Sequence, residues 1–327
     1  MANVNDTNNT LGRLANQWED LYEADIDDRD RDAIEEFCRH REGLDDMAPG
    51  TVVSDLSLLR NASDRADTPL IEMDMRDVRR LFRTLTAPKG RGGYGLDPKG
   101  EGMKGYKRAL RVFFQWIDSE RGYGDYPFWE DIKVPSSTRG RVDEEQLLEE
   151  EVVTKLKEAA NHARDRALIE FLADTAARIS LASQLRVGDI KGLETDRPEF
   201  TPNPDGINHK GAPDKRYPIL YSQADLRSYL NNHHIDSRPE APLWHVLRGY
   251  DTENPEMGAL SGDRIRDVLR ECRQRAGVDK PVNPHNFRHT AITRLRRSGA
   301  RDDLIQHVAG GRTGGCSRST ITQPIGR

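Results

Sequence analysis

After Tyr250 the 327-residue chain contains no tyrosine, so its C-terminal stretch carries no phenolic nucleophile. Cysteine is scarce. Cys38, Cys272 and Cys316 are scattered without metal-ligand spacing, which excludes a structural zinc site and points to a reduced cytoplasm. No apolar run approaches membrane-spanning length and no signal peptide is visible, so no membrane partner is expected. Positive charge is not in excess: the net charge is −5, so a partnership with a polyanion must rest on where the charges lie. There is no internal repeat, and no carboxylate trio stands out for divalent-metal chemistry. Acidic residues are absent from Leu304 to Arg327, although 55 of the 327 residues are Asp or Glu.

The length supports two ordinary domains, each able to bury a core. Residues 1–30 read as a polar segment with a faint helical signal from Leu11 to Tyr22. Helical spacing predicts helices near 31–43, 50–62, 74–86 and 100–121, which together form a helical domain over 31–135. Residues 136–144, beginning in a Pro-Ser-Ser-Thr-Arg-Gly run from Pro135, read as a linker. A second domain follows over 145–310, and 311–327 is an atypical tail.

Two helices of the first domain carry basic stripes. Arg76, Arg79, Arg80 and Arg83 fall at i, i+3, i+4 and i+7, as do Lys104, Lys107, Arg108 and Arg111. Their opposite faces are apolar, with Val78, Leu81 and Leu85 in one and Tyr106, Leu110, Phe113 and Phe114 in the other. Such stripes are either solvated faces or contacts for a polyanion.

In the second domain, Pro284 to Gly299 has helical spacing through Phe287, Ala291 and Leu295. His285 and Arg288 lie about one turn apart near its start. A helix N-terminus presents unpaired N–H groups and partial positive charge, and the planar fork of arginine holds two phosphate oxygens at once. The bland alternative is a surface helix whose His and Arg are merely solvated.

The run His285-Asn286-Phe287-Arg288-His289-Thr290, followed by Ala291, Leu295, Gly299 and Ile305, resembles the second signature block of the tyrosine recombinases, the phage integrase family. Thr175-Ala176-Ala177-Arg178-Ile179-Ser180, with Leu185 and Asp189 behind it, is similar to the first block. It departs from the family at Ala176, where members carry Gly, and at Leu181, where they carry Glu. Between the blocks, His209-Lys210-Gly211 and Lys215-Arg216-Tyr217-Pro218-Ile219 resemble the hairpin that bears a lysine at its turn, a role for which Lys210 is preferred over Lys215. Phe113-Phe114-Gln115-Trp116 is similar to the aromatic segment of the last main helix of the integrase core-binding domain.

The resemblance implies a mainly α fold with a small β-hairpin or sheet, made of a SAM-like helical core-binding domain and a mixed α/β catalytic domain. It implies double-stranded DNA as partner, self-association on that DNA, and strand exchange through a phosphotyrosine without metal or nucleotide cofactor. Arg178 and Arg288 would stabilise charge on the phosphorus, Lys210 would protonate the leaving oxygen, and His285 would aid proton transfer. Arg178 has an alternative use, a buried ion pair with Asp189. His289 reads as a packing or hydrogen-bonding residue. The eight residues of the basic stripes would face the DNA.

The resemblance stops at Gly310. The family places His or Trp next and a nucleophilic Tyr about a dozen residues on, whereas this chain has Gly311 and no Tyr. As written, the chain is expected to be catalytically inactive, its tail a truncated or frame-shifted remnant that is poorly ordered. The alternative is a non-enzymatic DNA-binding regulator or excision accessory protein on the same scaffold.

Overall fold

The computed structural model describes residues 2–45, 47–121, 127–135, 147–207 and 215–308. Among these the chain is mainly α-helical with a small antiparallel sheet. It divides into two compact units, one of Asn8–Arg141 and the other of Met1–Thr7 with Val142–Arg327.

The first unit is built from α1 (Thr10–Glu23), α2 (Asp28–Gly43), α3 (Pro49–Arg65), α4 (Met75–Thr86) and α5 (Glu101–Trp116). Residues 1–30 are therefore not one polar segment. α1 is a full helix that buries Trp18 and Leu21, and the first seven residues belong to the other unit. Only a few apolar side chains mark the inward face of α1, which is why its sequence signal is faint.

α4 begins at a reciprocal cap: the Asp74 carboxylate accepts from the Arg76 and Asp77 amides, and that of Asp77 accepts from the Asp74 amide. The core gathers aromatic side chains from several helices. Phe37 meets Phe113 edge to face at 5.5 Å, and Phe113 and Phe114 are fully buried. Phe114 is thus a packing residue.

The second unit contains α6 (Glu150–Glu158), α7 (Ala163–Thr175), α8 (Ile179–Ala182), α9 (Gln223–Asn232), α10 (Gly262–Arg275), α11 (Pro284–Arg297) and α12 (Asp302–Val308). Its first strand, β1 (Ala2–Asn3), comes from the opening residues of the sequence. Strands β2 (Ile190–Lys191), β3 (Glu199–Phe200) and β4 (Tyr217–Pro218) form an antiparallel sheet in that order. β5 (Met257–Ala259) pairs with β1.

α7 is the central element of this unit: Leu168, Phe171 and Leu172 are wholly buried, and Phe171 packs on Phe200 of β3 and on Trp244 at 5.1 and 5.6 Å. Burying an aromatic of this size stabilises by about 1.5–3 kcal/mol. Phe200 in turn stacks on Tyr217 of β4 at 5.1 Å, so the helix core holds the sheet in place.

The connection from β3 to β4 includes the expected lysine turn. His209, Lys210 and Gly211 lie outside the described residues, as do the linker residues 136–144 and the tail from 309. Lys215 is described and half-buried beside β4. Cys38 and Cys272 are free and buried, and no helix among the described residues is long and apolar enough to cross a membrane.

Candidate phosphate-handling site

α7 ends because Ala176 turns the chain through the left-handed region, with φ 53° and ψ 19°. Arg178 follows as the residue that opens α8. The turn is held by the Thr175 hydroxyl, which donates to the Phe171 carbonyl at 2.7 Å and accepts from the Ala177 amide at 3.3 Å. Ala176 stands where the resemblance expects Gly, and the backbone explains that expectation, since glycine alone takes this conformation without a steric penalty.

Ala176 is wholly buried, beside Ala291 and Val308. Two effects therefore oppose each other in Ala176→Gly. Relief of left-handed strain gains about 1–2 kcal/mol, while the greater freedom of the unfolded chain and the lost methyl cost about 0.5–1 and about 0.8 kcal/mol. The expected result is a stability within about 1 kcal/mol of the starting protein. Ala176→Val, branched at a left-handed position with no free space, is expected to lose more than about 2 kcal/mol in denaturant unfolding.

The Arg288 guanidinium donates through Nη1 to the Ala176 carbonyl at 2.6 Å, which ties α11 to this turn. Arg178, His285 and Arg288, drawn from blocks more than a hundred residues apart, line one cavity of about 680 Å³. Ser180, Asn283 and Arg266 of α10 share it. Asp189, the other partner considered for Arg178, accepts the Arg186 amide through its carboxylate at 2.8 Å.

The electrostatics of the cavity are set by two neighbouring guanidiniums. Arg288 is held below the usual guanidinium range, at about 10, first by burial and then by the positive charge of Arg178; Tyr217 opposes the shift. Tyr217 of β4 is buried, its phenol is pushed up by burial, and both guanidinium charges act against that shift. The two arginines and Tyr217 therefore share one electrostatic neighbourhood.

The helix N-terminus does not serve as expected. Asn283 caps α11, and its Oδ1 accepts from the His285 and Asn286 amides at 3.0 and 3.1 Å. Those amides are taken by the protein itself, so attraction for an anion falls to the side chains. The signal was present in the sequence as an Asn before Pro284, the pairing that opens helices. Sequence reasoning also missed Arg266, one of many arginines on α10, and Tyr217, which was read only as part of a hairpin.

His285 is exposed and His289 half-buried one turn along. Their Nε2 atoms are 2.6 Å apart, with ring centroids at 4.0 Å and planes at 82°. His289 lies below the usual imidazole range because of burial, then the neighbouring His285 and Arg288 charges. Thr290, in the same run, is structural: its hydroxyl accepts the Leu148 amide at 2.8 Å.

In the helical unit, Arg76, Arg79, Arg80, Arg83 and Arg108 are exposed, whereas Lys104, Lys107 and Arg111 are half-buried. Several have internal partners. Lys104 pairs with Glu101 at 2.6 Å, Arg80 lies 3.6 Å from Asp77, and Lys107 and Arg111 sit over the Phe82 and Trp129 rings. The Lys107–Phe82 contact brings the α5 stripe beside α4.

The fold is that of the two-domain DNA integrases. The chain is similar to the Tn1549 transposon integrase in complex with circular intermediate DNA, with a TM-score of 0.60 and 16% identity over 86% of this chain and 91% of that one. It is also similar to lambda integrase, solved as a dimer bound to a COC′ core site, with a TM-score of 0.57 and 12% identity over 86% and 74%.

A profile described as the phage integrase family matches residues 228–313. Tyrosine recombinase XerD of Corynebacterium glutamicum is 34% identical over 150 residues, 45% of this chain and 44% of that protein. Tyrosine recombinase XerC of Anoxybacillus flavithermus is 27% identical over 212 residues, 62% of this chain and 64% of that protein. The chain thus spans less than two thirds of either relative. Over these residues the chain is similar to members of the tyrosine recombinase, or phage integrase, family.

Proposed function

We propose that this chain binds duplex DNA as a site-specific recombinase of its family and seats one phosphodiester between Arg178, His285 and Arg288. The observation that carries this reading is the shared cavity: two guanidiniums that repel one another, with an imidazole beside them, from two distant blocks. Such an arrangement stabilises an anion, and in a strand-transfer reaction it would supply several kcal/mol to the charge that develops on phosphorus. Lys210 is assigned the leaving-oxygen proton on its place in the sequence alone.

The nucleophile is the open element. The 327-residue polypeptide has no tyrosine after Tyr250, and Tyr217, beside the arginines, is buried in packing. What is proposed for these residues is duplex binding, carried by the paired guanidiniums and the imidazole. The second reading, a regulator or excision accessory protein on the recombinase scaffold, is favoured by the same missing hydroxyl.

Residues 31–135 are assigned the DNA-gripping role through the two basic stripes, and 145–310 the phosphate site. Lambda integrase is described as a dimer on its core site and as a tetramer on a Holliday junction. Self-association on DNA, in the cytoplasm, is proposed for this chain by analogy.

The test is equilibrium binding to a short duplex across a salt series. Reversing Arg108 and Arg111 to Glu removes two positive charges and adds two negative ones. The expected result is weaker binding and a shallower log–log salt slope, by about two if both side chains contact phosphates. Unchanged affinity and slope would remove this stripe from the interface.

A further inference from the structure

We propose that His289 is a positioning residue for His285, the two imidazoles forming one proton-sharing pair that presents His285 Nδ1 to a phosphate oxygen. The inference rests on the reading of the cavity as a phosphate site, but its central observable is a property of the protein alone.

The argument begins from the Nε2 to Nε2 separation of 2.6 Å. A hydrogen bond at that distance needs one ring to donate N–H and the other to offer a lone pair, so the two rings cannot both be Nε2–H tautomers. A neutral pair therefore consists of one Nε2–H ring and one Nδ1–H ring. An added proton is accommodated as imidazolium donating to imidazole, in a charge-assisted bond. A second proton would set N–H against N–H and is excluded by the geometry.

Which ring donates follows from the surroundings. His289 is the less exposed of the two and lies closer to the burial that disfavours a cation, so it is the neutral acceptor. His285 is then the ring that donates across the Nε2–Nε2 contact. Its Nε2–H is committed to His289, and Nδ1–H remains as its donor to a ligand. Around the cavity the charged and titratable groups are Arg178 at the start of α8, Arg266 of α10, Arg288 of α11 and Tyr217 of β4. The three guanidiniums discourage a further positive charge until an anion enters. A phosphodiester would relieve that repulsion, and one solvent proton would then add to the pair, forming one N–H bond while the ester stays intact.

The spacing is what makes this possible. His285 and His289 are four residues apart on α11, so their side chains lie over one another on one face. Asn283 fixes the first of these residues by capping its amide. The His-x-x-Arg-His run therefore carries two linked functions: the arginine reaches back to Ala176 while the two histidines face each other.

The test is long-range proton–nitrogen NMR of the ¹⁵N-labelled imidazoles in the DNA-free protein near neutral pH. The native protein is expected to show His285 and His289 as opposite, fixed tautomers. In His289→Phe the His285 signals should collapse toward the averaged pattern of a ring free to exchange, and in His289→Gln, which retains a polar group of similar reach, one tautomer should return. Identical His285 signals in the native and Phe proteins would overturn the proposal.

Calorimetry of binding to a short random-sequence duplex, in buffers of different ionisation heat, supplies the second reading. Uptake of no more than about one proton by the two rings together is expected, measured as the difference from a His285→Phe, His289→Phe double variant. Uptake of two would overturn the shared-proton pair. Failure to bind the duplex would strike the phosphate-site reading and leave the tautomer result standing by itself.

Discussion

Arg288→Met is expected to weaken binding to duplex DNA by about 10- to 150-fold, the worth of roughly 1.5–3 kcal/mol for hydrogen bonds to a charged group. The same change should leave folding stability nearly untouched. Removing this half-buried cation relieves its desolvation and its repulsion with Arg178, which hold the guanidinium at about 10. Against this, the Ala176 carbonyl loses its donor, a loss of about 1–3 kcal/mol. The opposing terms are of one size, so a loss of affinity in this variant reports on the phosphate and not on unfolding.

Inorganic sulfate offers a check with no DNA present. An anion that binds only the folded state at 100 times its dissociation constant adds about 2.7 kcal/mol. Sulfate should therefore raise the Tm of the native protein and raise it much less in Arg288→Met. Equal gains in both proteins would place the anion elsewhere.

The parts of this site that were legible in the sequence are those set by spacing within one element or by a family motif. The periodicity of Phe287, Ala291 and Leu295 located α11, and Leu168, Phe171 and Leu172 located the buried face of α7. The two signature blocks named Arg178, His285 and Arg288, and the structure brings these three to one cavity.

What was not legible depends on contacts across long separations or on single backbone angles. β1 and β5 are two and three residues long and pair across most of the chain, too short for any alternation to show. The departure at Ala176 was visible as a letter, but its left-handed φ and its carbonyl bond to Arg288 were not. The helix N-terminus was expected to offer free amides, and a side chain two residues before His285 had already taken them. The pairing of His289 with His285 needed rotamers, which spacing at i and i+4 permits but does not dictate.

The central proposal is that Arg178, His285 and Arg288 grip a phosphodiester, with no tyrosine among residues 251–327 to attack it. The most direct measurement uses a nicked duplex that traps any covalent intermediate by losing a short strand after cleavage. The protein is expected to retard the duplex in a native gel, with that band lost on adding SDS and no protein–DNA adduct remaining. An SDS-resistant adduct would contradict the account by showing that a hydroxyl of this chain attacks the phosphodiester, and the absence of a retarded band at low salt would contradict it by removing the grip itself.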